Sequence, residues 1–296
     1  MALPRFQYNQ PAALSEACEM LQAFGDRSAL LAGGTDLLVK MKNRTIQPEQ
    51  LISLAELEEL GRMSTEKGLQ SIGACCTISK IADSEPIRSA FPALASSAGH
   101  IGSPAVRNLG TVGGNVVTAS PAADLPPALI AYGARALLTS PHGERTLPLE
   151  ELFRGPGITD IQSDEILTAF LLERPPDLSG AGFFKLGNRK ALQISIVNGC
   201  CFLALDPQSG KIHEARIALG AVAPIPVRAV RAEKVLMGET PGQDLFSEAG
   251  RMAAQECHPI DDLRGTASYR EDMVRVLTSR TLTTVLESIR KSDARH

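Results

Sequence analysis

The sequence predicts an α+β chain of two domains, with helical and strand-like segments in mixed order instead of a strict βαβα repeat. Three observations carry this. Over the first hundred residues, apolar positions at helical spacing are interleaved with short apolar runs that fit buried strands. A Pro- and Gly-rich stretch from Arg174 to Gly182 marks a boundary, dividing the chain into residues 1–177 and 178–296. Beyond it the pattern changes to two long strand-like runs and closing helices. The length of 296 residues agrees, since about 150 residues per domain suggests two.

In the first domain, Leu14, Ala17, Cys18 and Leu21 recur at helical spacing, with Ser15 or Pro11 available to start that helix. Ala29 to Ala32 fits a buried strand that stops at Gly33-Gly34, and Leu37 to Met41 is helical. Gln50 to Leu54 and Leu69 to Ala74 are strand-like. Thr77 can cap a short helix, and Arg88 to Ala98 has helical character. A glycine-punctuated segment from Gly99 to Asn115 follows. Leu125 to Ile130 then begins a helix that tolerates Pro126, because the N–H that proline lacks is unpaired in a first turn anyway. Ala134 to Thr139 reads as a strand, with a turn at Pro141-His142-Gly143-Glu144. In the second domain, Ile194 to Leu205 and Lys211 to Val222 flank Asp206–Gly210 as a hairpin. Helices over roughly Leu245–Glu256 and Ser268–Arg290 close the chain. The last presents Met273, Val276, Leu277, Val285, Leu286 and Ile289 on one face, and Met237, Met252 and Met273 occupy ordinary packing positions.

Composition excludes several functions. Hydrophobic residues make up 44% and charged residues 21%, enough for a proper core. Thirty Lys and Arg against 33 Asp and Glu give a formal charge of −3, so no polybasic surface is available for nucleic acid or anionic membrane. With nine Phe, three Tyr and no Trp, stacking platforms are scarce. A large planar ligand would have to be held by backbone and aliphatic surface. The start of the chain shows no secretory pattern, and no run approaches the ~18 apolar residues of a membrane span. Cys18, Cys75-Cys76, Cys200-Cys201 and Cys257 form no CxxC, and the histidines at 100, 142, 213, 258 and 296 lack ligand spacing. No metal or iron–sulfur cluster is expected on this chain. The adjacent cysteine pairs, in apolar strand-like surroundings, read as buried thiols of a reducing cytoplasm.

Two glycine loops carry the functional information. The first is Leu30-Leu31-Ala32-Gly33-Gly34-Thr35-Asp36-Leu37, where a strand ends in two glycines and a helix opens with Thr and Asp. Lacking Cβ, glycines let backbone amides approach an anion, and the unpaired first amides of a helix favour phosphate. A plain turn with a Thr or Asp cap fits the first loop equally well. The second loop is Asn108-Leu109-Gly110-Thr111-Val112-Gly113-Gly114-Asn115, continuing to Asp124, which is either a helix N-cap or an acceptor of ribose hydroxyls. Neither loop matches GxxxxGK[ST] or GxGxxG, and no GxSxG occurs. Two loops about 80 residues apart can clasp one diphosphate from both sides.

These residues resemble the FAD-binding medium subunits of the molybdenum hydroxylases, the xanthine dehydrogenase and carbon monoxide dehydrogenase family. The resemblance rests on Ala32–Asp36, Arg107–Asn115, Ser120-Pro121-Ala122-Ala123-Asp124, Asp164-Glu165-Ile166-Leu167, Phe183-Phe184-Lys185, Ala223–Arg228 and Asp262-Leu263-Arg264-Gly265, in order along nearly the whole chain. It implies a p-cresol methylhydroxylase-type FAD-binding domain of two lobes, followed by a smaller α+β domain of the CO dehydrogenase flavoprotein C-terminal type. It further implies that Leu30–Leu37 and Gly110, Thr111, Val112, Gly113, Gly114 and Asn115 hold the FAD diphosphate and adjoining groups. Asp124 would lie on the ribose or ribityl side. Leu167 and Lys185 match positions near the adenine and isoalloxazine ends, and Ile101 and Ile194 match positions that pack on the ring. Without the resemblance, Ile101, Leu167 and Ile194 read as core residues, Lys185 as a solvated lysine and Arg189-Lys190 as an exposed turn.

Functionally, the resemblance implies a cytoplasmic electron-transfer subunit that names no acid–base residue of its own. A large subunit would carry molybdopterin and a small one two [2Fe–2S] clusters, in an (αβγ)₂ assembly, with electrons passing through FAD to NAD or another acceptor. The 4-hydroxybenzoyl-CoA reductase branch, with its extra cluster in this subunit, is disfavoured by the scattered cysteines. Two alternatives are a stand-alone FAD oxidoreductase of the same fold and a flavin-free assembly subunit.

Overall fold

A three-stranded parallel sheet opens the chain, built from β1 (Gln7–Asn9), β2 (Ser28–Leu31) and β3 (Gln50–Ser53) in the order β1-β3-β2. The computed structural model describes residues 2–189 and 192–293. Helix α1 (Leu14–Phe24) buries Ala17, Cys18 and Leu21 in a small core with Ile52 and Leu54. Neither Ser15 nor Pro11 starts it: the helix begins at Leu14, and Glu16 Oε2 accepts the Ala12 N–H at 2.7 Å. The short helix α2 (Leu37–Lys42) follows β2.

The second lobe carries a five-stranded antiparallel sheet of order β4-β5-β10-β6-β7. Its strands are β4 (Met63–Glu66), β5 (Leu69–Gly73), β6 (Arg135–Ser140), β7 (Gly143–Pro148) and β10 (Ile166–Glu173); β8 (Phe153–Gly155) and β9 (Ile158–Thr159) form a separate pair. Six helices lie between β5 and β6: α3 (Ile78–Asp83), α4 (Glu85–Ala90), α5 (Pro92–Gly99), α6 (Pro104–Leu109), α7 (Val112–Val117) and α8 (Leu125–Ala131). Thr77 caps α3 as expected, its Oγ1 accepting from Lys80 N at 3.2 Å. The helical stretch Arg88–Ala98 is broken at Phe91-Pro92, because proline has no N–H for a continuing helix. The segment read as glycine-punctuated, Gly99–Asn115, contains α6 and the start of α7, capped by Ser103 and Thr111.

The third part is a four-stranded antiparallel sheet of β11 (Ser179–Leu186), β12 (Val197–Leu205), β13 (Ile212–Gly220) and β14 (Val227–Arg228), with α9 (Val230–Leu236), α10 (Gln243–Gln255) and α11 (Ala267–Asp293). Strand β12 is covered on both faces. Alternate side chains of a strand point opposite ways, so Cys200, Phe202 and Ala204 enter the core under α8 while Val197, Cys201 and Leu203 enter the core under α11. That alternation explains the adjacent cysteines Cys200-Cys201. The other pair departs from expectation: Cys75-Cys76 lies in the turn after β5, with Cys75 half-buried.

Strand β11 begins inside the stretch taken as the boundary, so only residues 174–178 lack regular structure there. Its glycines are steric. A Cβ on Gly182 would lie 2.8 Å from Thr281 Cγ2 on α11, so the long helix can rest on this strand only if the side chain is missing. Helix α11 spans about 40 Å at ~1.5 Å per residue. It buries Val274, Thr278, Leu282, Val285, Leu286 and Ile289, while Met273, Val276 and Leu277 are only half-buried. The stripe is therefore rotated slightly from the one the sequence suggested. Met252 and Met273 pack against this core, whereas Met237 is exposed.

Candidate functional site

The first glycine loop connects β2 to α2 and turns at Gly34, whose φ of +70° is the left-handed conformation that glycine adopts without strain. Among the described residues, the N–H groups of Gly33, Gly34, Thr35 and Asp36 make no hydrogen bond to protein. Asp36 is the N-cap residue of α2, but its side chain does not cap. A run of unpaired amides is suited to an extended anion, since hydrogen bonds to a charged group contribute about 1.5–3 kcal/mol each. Helix α2 is only six residues long, so these amides, more than a helix dipole, make the site.

The second loop is built differently. Most of its amides are spent inside the protein, the Thr111 N–H excepted among the described residues: Gly110 N–H donates to Val106 O, Val112 to Cys76 O, Gly113 to Ala74 O and Asn115 to Thr111 O, at 2.7–3.0 Å. Gly114 N–H donates to Thr111 Oγ1 at 3.0 Å. What the loop offers is close approach. A Cβ on Gly33 would strike the Leu109 carbonyl oxygen, and a Cβ on Gly113 would lie 2.7 Å from Ala74. The loop also offers Asn115, whose buried side-chain oxygen has no hydrogen-bond partner among the described residues and is a ready acceptor for a ligand hydroxyl.

Two adjoining clefts share Leu30, Ala32, Gly114 and Val117. The first, about 270 Å³, is lined by Gly33, Gly34, Thr35, Asp36, Leu37, Ile101, Gly110, Thr111 and Asn115 among the residues picked out from sequence. The second, about 310 Å³, runs past Gly113 to Leu167. Sequence reasoning missed Lys40, Val117 and Thr118 in the first and Leu54, Cys75, Ile161 and Glu165 in the second. Val117 and Thr118, the last residue and the C-cap of α7, follow Gly114 by three and four positions, so helical spacing could have found them. Lys40 lies on α2 just after the first loop and Glu165 within the Asp164–Leu167 stretch, whereas Leu54, Cys75 and Ile161 arrive from distant strands and turns and left no local signal.

Five of the singled-out residues stand apart from the two clefts. Leu31 and Val112 line neither cleft, and Val112 is fully buried. Ile194 is 55% exposed, so it is not a core residue, and it lines a third cleft beyond Pro121. Asp124 sits at the N-cap position of α8 without capping it. Its carboxylate accepts from Lys185 Nζ at 2.5 Å, Ser195 Oγ at 2.7 Å and Asn198 Nδ2 at 2.7 Å. Lys185 is therefore buried and paired, not solvated, because that carboxylate replaces its water. Arg189 is exposed and donates to the Leu192 carbonyl; Lys190 lies outside the described residues.

Around the second cleft, Glu165 is gripped by Arg145 through two hydrogen bonds of 2.6 and 2.8 Å. That grip holds its carboxyl below the usual carboxylate range. Burial pushes the Cys75 thiol up to about 12, so it is neutral near pH 7. Among the described residues, no three His, Cys, Asp or Glu converge as metal ligands, and no helix is long and apolar enough to cross a membrane.

Comparison with known proteins adds to this geometry. Residues 4–173 match the family described as FAD binding domain in molybdopterin dehydrogenase, and residues 182–285 match the CO dehydrogenase flavoprotein C-terminal domain. The chain is 30% identical to the nicotinate dehydrogenase FAD-subunit of Eubacterium barkeri, over 96% of this chain and 97% of that one. It is 31% identical to the carbon monoxide dehydrogenase medium chain of Hydrogenophaga pseudoflava, over 95% and 97%. A solved structure of carbon monoxide dehydrogenase from Hydrogenophaga pseudoflava superimposes with a TM-score of 0.91 at 33% identity, covering 96% of this chain and 98% of that one. Quinoline 2-oxidoreductase from Pseudomonas putida 86 superimposes with a TM-score of 0.90 at 27% identity, covering 98% and 99%.

Proposed function

The chain belongs to the FAD-binding subunits of the molybdenum hydroxylases, the family of the carbon monoxide dehydrogenase medium chain and the xanthine dehydrogenase FAD-binding subunit, and from that premise we propose that it is the electron-transfer subunit of such a complex. The partners in this reading are a large molybdopterin subunit and a small [2Fe–2S] subunit. Electrons pass from the clusters through FAD to NAD or another acceptor. FAD, when bound, supplies the one- and two-electron chemistry itself. The work of this chain is to bind, orient and shield it.

The observation that carries the proposal is the run of unpaired amides from Gly33 to Asp36, set against the second glycine loop with no room for side chains between them. In this reading those amides hold the diphosphate and Asn115 Oδ1 takes a hydroxyl of the sugar chain. Leu167, with Ile161 and Leu54 beside it, forms the apolar seat for adenine. Ile101 and Ile194 supply aliphatic contact toward the ring, consistent with a chain whose aromatic content is 4%. Residues 1–177 form the FAD domain and 178–296 the C-terminal domain, and the complex works in the cytoplasm.

The test is direct. The full chain, produced with its partner subunits and purified, should be yellow and release close to one FAD per chain on denaturation. A complete complex whose medium chain carries no flavin would refute the proposal, and turnover by the chain alone would point to a stand-alone oxidoreductase.

A further inference from the structure

The first cleft has two charged residues in its lining, Asp36 and Lys40; the rest of the lining is apolar, glycine, threonine or asparagine. The second cleft adds only Glu165, whose charge is already met by Arg145. Lys40 is therefore the one cation in the lining of either cleft. Its backbone is fixed: the N–H donates to Asp36 O at 3.0 Å and the carbonyl accepts from Thr45 N at 3.0 Å. Its side chain is exposed, as is that of Asp36, and among the described residues neither makes an ion pair.

Gly33 to Asp36, whose four amides are unpaired, line the same cleft. Amides direct hydrogen bonds but carry no net charge. An anion brought here meets the Asp36 carboxylate, which repels it, and the Lys40 ammonium, which attracts it. Removing either side chain leaves the other to set the charge of the cleft. Lysine suits this task, because it meets a phosphate as a point charge on a flexible stem and needs no fixed fork geometry. Both side chains are in contact with solvent, so salt screens their effect.

We infer that Lys40 is the counter-charge of the cofactor's diphosphate, set against an opposing carboxylate on Asp36, and that these two residues decide how strongly FAD binding depends on ionic strength. The inference rests on the reading that this chain binds FAD through the first glycine loop. Lys40 lies outside the glycine motif, and its role comes from its place in the lining of the cleft. Lys42, on the same helix and also exposed, lines neither cleft and serves as the control.

The experiment titrates the full chain, stripped of flavin, with FAD by fluorescence quenching and with ADP by competition against FAD. ADP carries a diphosphate without the flavin. Lys40→Met should weaken both alike, about tenfold at about 50 mM salt and less than about threefold at about 500 mM, where charges more than a few ångströms apart are screened. Lys40→Gln should behave like Lys40→Met, whereas Lys40→Arg, which keeps the charge, and Lys42→Met should stay within about twofold of wild type. Asp36→Asn should tighten FAD about threefold at the lower salt. A purely structural role for Lys40 would lower the unfolding temperature of the apo chain and would not respond to salt. Four results would each overturn the inference: a Lys40→Met chain that binds FAD within about threefold of wild type at low salt, a loss for FAD that ADP does not share, a loss that high salt leaves unchanged, or weaker FAD binding by Asp36→Asn. A wild-type chain that binds no FAD would instead overturn the FAD reading, which keeps the two failures distinct.

Discussion

Gly33→Ala tests the loop geometry with a single methyl group. Its Cβ would meet the Leu109 carbonyl oxygen, lie 2.8 Å from Leu109 C and 2.9 Å from Gly110 Cα, where ordinary contact begins at 3.4 Å. The backbone on both sides is fixed, because Gly110 N–H is bonded to Val106 O at 2.7 Å and its carbonyl accepts from Ile78 N at 2.9 Å. The first loop must therefore swing away by more than half an ångström, the shortfall of 2.8 from 3.4 Å. Its amides then leave hydrogen-bonding distance of a bound diphosphate. Losing two charge-assisted bonds of about 1.5–3 kcal/mol each removes about 3–6 kcal/mol, or ~10²- to 10⁴-fold in Kd. Quenching of flavin fluorescence on titrating the apo chain reads the affinity, and thermal unfolding without FAD checks the fold. Gly61→Ala, with nothing within 4 Å of the new Cβ, should change neither. A Gly33→Ala chain that unfolds at the wild-type temperature and binds FAD within threefold of wild type would refute the reasoning.

Three further outcomes are expected. Gly250→Ala places a Cβ against the carbonyl oxygen of Arg275 where α10 crosses α11, and should destabilise the C-terminal domain by about 1–3 kcal/mol in denaturant melts. Asp262 accepts from Arg264 N at 2.7 Å, and from the Arg264 and Arg270 guanidinium groups at 2.8 and 2.7 Å. Chiefly because of the backbone bond to Arg264, its carboxyl lies at about 2 instead of 3.8. A lowered folded-state value means its stabilisation is complete above the unfolded value and lost as pH falls from 3.8 through about 2. Asp262→Asn should flatten the acid limb of unfolding midpoints over that window. Arg145→Met leaves Glu165 without its two-bond partner beside the second cleft and should weaken FAD binding about tenfold by the same fluorescence titration, consistent with ~1–3 kcal/mol for an orphaned polar group.

Local chemistry was legible from the residues. Thr77 caps a helix, Asp206–Gly210 turns the hairpin of β12 and β13, and Gly33-Gly34 ends a strand, because caps, turns and glycine conformations depend on neighbours in the chain. Strand β10 was not seen because five of its eight residues in sequence, Ile166 to Phe170, are buried without alternation, as expected of a central strand covered on both faces. Strand β11 was hidden by glycines whose reason is a helix about 100 residues further on. Helix α6 was hidden behind glycine and proline punctuation, although Ser103-Pro104 is a good start for a short helix.

The same division holds at the site. The order of short motifs along the chain was enough, by itself, to point to the family and to FAD, because each motif is a contiguous run of residues that can be read in one dimension. Tertiary structure decided which of the two glycine loops has amides to give. The second loop spends all but the Thr111 amide on Ala74, Val106, Thr111 and Cys76, while among the described residues the first keeps four unpaired. It also decided that Lys185 is buried against Asp124, 61 positions away, and that Ile194 is exposed. Whether a donor is free or a charge is compensated depends on what the rest of the chain brings within about 3 Å of it, and no local pattern records that.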